Sequence, residues 1–181
     1  FLAIFGYFFL KEKINLITFI SILLGMSGVL LIVGSSLSIQ SNEQFFGNVV
    51  AFVMPISFAI LIIIIRKYPN VDMVPSQFTA GVFAALIGYI VSTKLSISMH
   101  DLFLAFLAGV FQIGFGFILI TIGSRVTPAA VVGVLMLTEA VFGPLWAWLF
   151  INEIPPMSVI FGGGIIIFAI LFEFFLSPKK H

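Results

Sequence analysis

Long apolar stretches recur along this chain, four of the six full ones without a single charged residue and the last two with one glutamate each, separated by short polar connections. The stretches run Ile14–Gly34, Phe45–Ile65, Val74–Val91, Leu102–Ile122, Thr127–Ile151 and Met157–Leu176, with Phe1–Leu10 as a shorter remnant. Each full stretch holds roughly 18–25 residues, enough at about 1.5 Å per residue to cross a hydrocarbon core of about 30 Å. The pattern predicts six complete membrane-spanning helices and the end of a seventh. A closed barrel would instead need alternating segments of about ten residues, and these runs do not alternate. Pro75, Pro128 and Pro155 fall where spans begin, a position at which the missing amide proton costs nothing. Phe1 opens the chain inside an apolar run with no basic residues before it, which reads as a truncated start and not as a signal peptide.

Charge sets the orientation. Only 8% of residues are charged and mean hydropathy is +1.29, against about a quarter charged in soluble domains, so lipid must be the outer solvent. Lys11, Lys13, Arg66, Lys67, Arg125, Lys179 and Lys180 fall in alternate connections, and Lys94 is the one of the eight basic residues on the other side. The positive-inside rule then puts the first set, and the C-terminus, in the cytoplasm. Connections 67–70 and 123–126 are expected there, with 35–43, 93–100 and 152–155 outside. A net charge of +1 leaves no basic surface for nucleic acid. The chain has no cysteine, which removes disulfides and thiolate chemistry, and no metal-ligand spacing or cofactor motif is present.

Two connections resemble each other. The chain reads FGYFFLKEKINLITFISILLGMSGVLLI around the first and WAWLFINEIPPMSVIFGGGIIIFAILF around the last. Superposing Glu12 on Glu153 pairs Phe1 with Phe142, Phe9 with Phe150, Ser21 with Gly162 and Gly28 with Ala169. The charge rule puts the two glutamates on opposite sides of the membrane, as an inverted repeat requires. Five spans separate the matching connections, so the repeat unit would be five helices, and the complete protein would then have ten.

These residues resemble the drug/metabolite transporter superfamily, specifically its EamA-type members. The resemblance implies two inverted five-helix halves. FFLKEKINLITFISILLGMSGVLLIVG is similar to the end of a first half, so residues 1–43 would close it. GNVVAFVMPISFAILIIIIRKYPN and TPAAVVGVLMLTEAVFGPLWAWLFINEIPP are similar to the opening and penultimate helices of a second, which 44–181 would complete. Members commonly carry Pro directly after the intramembrane Glu. Here Ala140 follows Glu139, and the proline is delayed to Pro144.

Glu139 is the one ionisable residue deep inside a span, and a charge at that depth costs roughly 2.5–3.5 kcal/mol on insertion scales. It is therefore the first candidate for substrate binding or proton coupling; a neutral carboxyl bridging two helices is the structural alternative. Pro144 should kink its helix and free the Ala140 carbonyl beside it. Phe142, Gly143 and Trp146 share the Glu139 face, and Trp146 offers a π surface to a cation. Thr138, Gln112 and Ser57 complete the candidate set. Pro55, expected near mid-span, should free the Ala51 carbonyl. Gly25, Gly28, Gly162 and Gly163 are expected at close helix contacts. Glu173 is expected to snorkel at the boundary near Lys179.

By resemblance, the activity would be secondary transport of small organic solutes, with export of amino acids or related metabolites as the substrate class, in a bacterial-type inner membrane. The expected partners are that substrate and the lipid bilayer; oligomeric state is left open, a dimer being one option. An intramembrane enzyme would need a catalytic pair at one depth, and Glu139 has no acidic, His or Lys partner at its depth. A scaffold or channel subunit would not need Glu139 at all.

Overall fold

In hydrocarbon a backbone N–H or C=O has no water to bond, so a spanning segment must satisfy its groups internally, and an apolar run of this length becomes helix. A computed structural model describes residues 1–34, 47, 50–92 and 96–177. Its elements are α1 (Leu2–Leu10), α2 (Leu16–Gly34), α3 (Val53–Lys67), α4 (Val74–Val91), α5 (Met99–Leu107), a π-helical segment (Ala108–Phe115), α6 (Gly116–Ser124), α7 (Ala129–Met136), α8 (Thr138–Ile151) and α9 (Met157–Leu176). Among the described residues there is no strand. This is an all-α integral membrane protein. Five helical stretches are long and apolar enough to cross a bilayer: Leu16–Gly34, Val74–Val91, Met99–Ser124, Ala129–Ile151 and Met157–Leu176. The sixth expected span, Phe45–Ile65, lies partly outside the described residues, as do the connection 35–43 and Lys94, Lys179 and Lys180.

The chain divides into two compact units, Phe1–Ile63 with Pro128–His181, and Ile64–Thr127. In the first, large apolar side chains such as Phe8, Leu16, Phe161 and Phe175 are exposed, while Thr18, Ser21, Gly25, Gly28, Gly162, Ala169 and Glu173 are buried. Ile62, Val134 and Ile166 are buried with them, and the share of small and polar residues in this interior suits lipid, where tails already solvate apolar surface and helices associate through such residues. The main seam joins α2 and α9. Asn15 Nδ2 donates to Ser177 Oγ (3.1 Å) and Thr18 Oγ1 to Glu173 Oε1 (2.7 Å). Further along, a Cβ built on Gly28 would lie 2.7 Å from the Gly162 carbonyl oxygen, and one on Gly162 would lie 2.6 Å from that of Gly28. Partners descend along one helix as they rise along the other, so α2 and α9 are antiparallel. Gly28 and Gly162 therefore meet backbone to backbone, as expected, and Gly25 lies directly under Leu137. Gly163 is buried but looser, with Val141 at 3.8 Å.

Glu173 corrects an expectation. It does not snorkel; it is 3% exposed, because the antiparallel crossing lays the end of α9 over the start of α2. There Asn15 caps α2 by accepting from the Thr18 backbone N–H (2.7 Å), and Thr18 offers its hydroxyl to the carboxyl group. The second carboxyl oxygen, Oε2, is buried with no partner among the described residues.

α1 packs along α7. Gly6 lets the two backbones approach, since a Cβ there would lie 3.0 Å from the Ala129 Cβ. Glu12, in the turn after α1, accepts from the Ala129 backbone N–H at 2.8 Å and so caps α7 from another part of the chain. That turn and the one after α8 share a backbone. Lys11 (φ 55°) and Asn152 (φ 57°) are the only non-glycine residues of positive φ among those described. Glu12 N donates to Gly6 O and Glu153 N to Ala147 O, so each left-handed residue closes a seven-residue turn at the end of its helix. Each of these residues lies 141 positions from its counterpart.

In the second unit α4 has no buried residue, and it meets α6 through Gln77, which donates to Thr121 Oγ1. Thr121 and Ser124 are buried. The span Met99–Ser124 changes winding at Ala108–Phe115, a π-helical stretch holding Gly109 and Gly114. Such wide turns are rare in helices and occur most often at functional positions; nothing in the apolar pattern signalled this one.

Candidate functional site

The span holding Glu139 is not one uninterrupted helix. At Leu137 the bonding tightens: Leu137 N donates to Val134 O and Ala140 N to Leu137 O, both at 3.1 Å and both three residues back. α7 ends there and α8 begins at Thr138. Pro144, expected to kink this helix, sits inside α8, and the tight turn falls earlier, at the residue that covers Gly25. Glu139 thereby stands in the first turn of a helix that starts inside the membrane span. Four positions after Ala140, Pro144 supplies no N–H to that carbonyl.

The Glu139 face of α8 is open. Glu139, Phe142, Gly143 and Trp146 are exposed in their unit, and a Cβ added at Gly143 would meet nothing within 4 Å. Phe142 and Trp146 stack with ring centres 6.3 Å apart and planes at 24°, and Phe150 continues the row at 5.7 Å from Trp146. Thr138 adds nothing to that face: its Oγ1 donates back to the Leu135 carbonyl (2.7 Å), which satisfies one of the acceptors left at the end of α7. One helix therefore carries a carboxyl group, a space and an aromatic row in order along one side. The chemistry available there is hydrogen bonding and charge at one end and π contact along the rest.

The other candidates lie elsewhere. Ser57 is exposed on α3. Pro55 stands just after a break in its span: Val50 and Ala51 are helical, Phe52 is a turn, and α3 begins at Val53 with Pro55 in its first turn. Gln112 is exposed within the π-helical segment, in the second unit. Two polar contacts escaped sequence reasoning, the Glu12 cap on α7 and the Thr18–Glu173 bond. Asn15 three residues before Thr18, just ahead of an apolar run, was a readable helix-start signal. The contact with Glu173 was not readable, since it joins residues 155 positions apart. Among the described residues no group of His, Cys, Asp and Glu could hold a metal ion.

Comparison with known proteins agrees with this architecture. The model of the EamA-like transporter family matches residues 45–175. The chain is 29% identical over 189 residues to a protein of Methanothermobacter thermautotrophicus named "Uncharacterized transporter", covering 99% of this chain and 54% of that protein. It thus spans about half the length of that relative. No solved structure matches it. The family model covers most of the chain, from the segment before α3 to the end of α9: the protein belongs to the EamA-like transporter family.

Proposed function

We propose that the chain forms part of a secondary transporter that moves small organic solutes, amino acids or related metabolites, out of the cell by alternating access, with Glu139 as the proton-coupling group. The observation that carries this reading is the placement of Glu139. It occupies the first turn of a helix starting in mid-span, on an open face backed by the Phe142–Trp146 stack and cleared by Gly143. Discontinuous helices at mid-membrane are where transporters bind substrates and coupling ions. A carboxyl group can take a proton from one side and release it to the other as the cavity changes its opening.

The proposed frame is ten helices in two inverted halves, in a bacterial-type inner membrane with the C-terminus cytoplasmic. Two features support it: the matched turns at Lys11-Glu12 and Asn152-Glu153, and the antiparallel crossing of α2 and α9, the helices that follow those turns. The test uses the full-length protein in proteoliposomes, with labelled amino acids and an imposed pH gradient. Glu139→Gln keeps the side chain's shape and hydrogen bonding but cannot change charge. It should insert normally and lose pH-dependent transport while keeping pH-independent exchange. Transport with an unchanged pH profile in this variant would overturn the coupling role.

A further inference from the structure

The second unit gathers positive charge at one corner. Arg66 and Lys67 close α3 and Arg125 follows α6. Arg66 Nη1 donates to the Arg125 carbonyl at 3.1 Å, which holds the two helix ends at one level. Arg125 Nη2 reaches Asp72 Oδ1 at 3.2 Å and the Val71 carbonyl at 3.4 Å, and its Nε is buried with no partner among the described residues. Asp72 is 67% exposed on its side chain, so solvent screens that pair and it weakly offsets the guanidinium charge. Lys67 is exposed, with Nζ 5.8 Å from the centre of the half-exposed Tyr68 ring. Three cations and one acid, Asp72, thus stand at this corner among the described residues.

Depth decides what answers that charge. Arg125 comes directly after the apolar stretch Met99–Ser124, which is long enough to cross the hydrocarbon core, so the corner lies at the height of lipid headgroups. Tyr68 fits the same level, where amphipathic rings concentrate. Just inside it, Ile64 and Ile122 are exposed and offer apolar surface to an acyl chain. A free anion would use the cations alone; a lipid would use both. We propose that Arg66, Lys67 and Arg125 form a binding site for the phosphate of an anionic phospholipid of the phosphatidylglycerol type, with its acyl chains against Ile64 and Ile122.

The test is lipid retention by the full-length protein in detergent, read by native mass spectrometry with phosphatidylglycerol and phosphatidylcholine in competition. Phosphatidylglycerol should be retained in preference. A basic residue near the membrane surface contributes about 1 kcal/mol to anionic-lipid attraction, or about fivefold. Lys67→Gln should therefore weaken phosphatidylglycerol retention about fivefold, and Lys67→Glu more, while Lys13→Gln in the other unit leaves it unchanged. Lys67 is exposed, so these variants fold, and the helical circular dichroism signal confirms it. Equal retention of the two lipids, or Lys67 variants that bind like the parent protein, would overturn the site. Displacement by millimolar inorganic phosphate would also overturn it, since that marks a soluble-anion site.

Discussion

Gly162 and Gly164 lie two positions apart on α9, and the same substitution should act on them in opposite directions. A Cβ at Gly162 would sit 2.6 Å from the Gly28 carbonyl oxygen and equally close to Ile32 Cγ1; at Gly164 it would meet nothing within 4 Å. Replacing either glycine by alanine gains up to about 1 kcal/mol of helix propensity. At Gly164 that gain stands. At Gly162 the obstruction includes backbone, which cannot swing aside as a side-chain tip does, so α2 and α9 must separate; overpacking of this kind costs about 1–3 kcal/mol. Both variants share the propensity term, so the difference between them reports the seam contact itself. For a chain of this size each kcal/mol moves the midpoint by about 2–4 °C. Gly164→Ala should melt at or slightly above the parent protein, and Gly162→Ala several degrees below Gly164→Ala. The two tryptophans, Trp146 and Trp148, both on α8, supply a fluorescence signal in detergent. Equal midpoints for the two variants would refute close backbone packing of α2 on α9.

Two further outcomes follow from the same unit. Thr18→Val deletes the hydroxyl that partners Glu173 Oε1 and leaves a buried carboxyl with no bond among the described residues; chemical denaturation should show a loss of about 1–3 kcal/mol, which Thr18→Ser restores. Lys11→Gly relieves a side chain at φ 55° and should raise stability by about 1 kcal/mol, whereas Asn152→Gly gains less because asparagine tolerates that conformation; the thermal midpoints of the two variants separate these cases.

Hydropathy carried the spans because burying a backbone in lipid leaves little choice but helix. Residue pairing carried the matched turns, since a left-handed helix end is a local structure and Lys11-Glu12 and Asn152-Glu153 each hold its geometry within seven residues. Three features were not legible. The break at Leu137 has no proline or glycine at the turn to announce it. The π-helical stretch around Gln112 is a change of winding within a uniformly apolar run, and periodicity over so few residues cannot separate 3.6 from a wider turn. Glu173 looked like a boundary residue because it lies close to the end of its span. Its burial comes from the angle and depth at which α9 crosses α2, which no local pattern encodes. The face of α8 was read correctly as a set of helical neighbours, because 3.6-residue spacing fixes which side chains share a side.

The distance in sequence across the α2–α9 seam has a consequence for how the protein is made. Asn15 and Ser177 are 162 positions apart, Thr18 and Glu173 155, and Glu12 reaches Ala129 across 117. In the second unit Gln77 meets Thr121 across 44. Helices enter the bilayer in the order of synthesis, so the Gln77–Thr121 contact can form while α9 is still inside the ribosome. During that interval α2 waits in the membrane without the α9 partners of Thr18 and Gly28. The first unit closes only on release of its final helix, which makes the half-built chain, and not the finished one, the form most exposed to quality-control proteases.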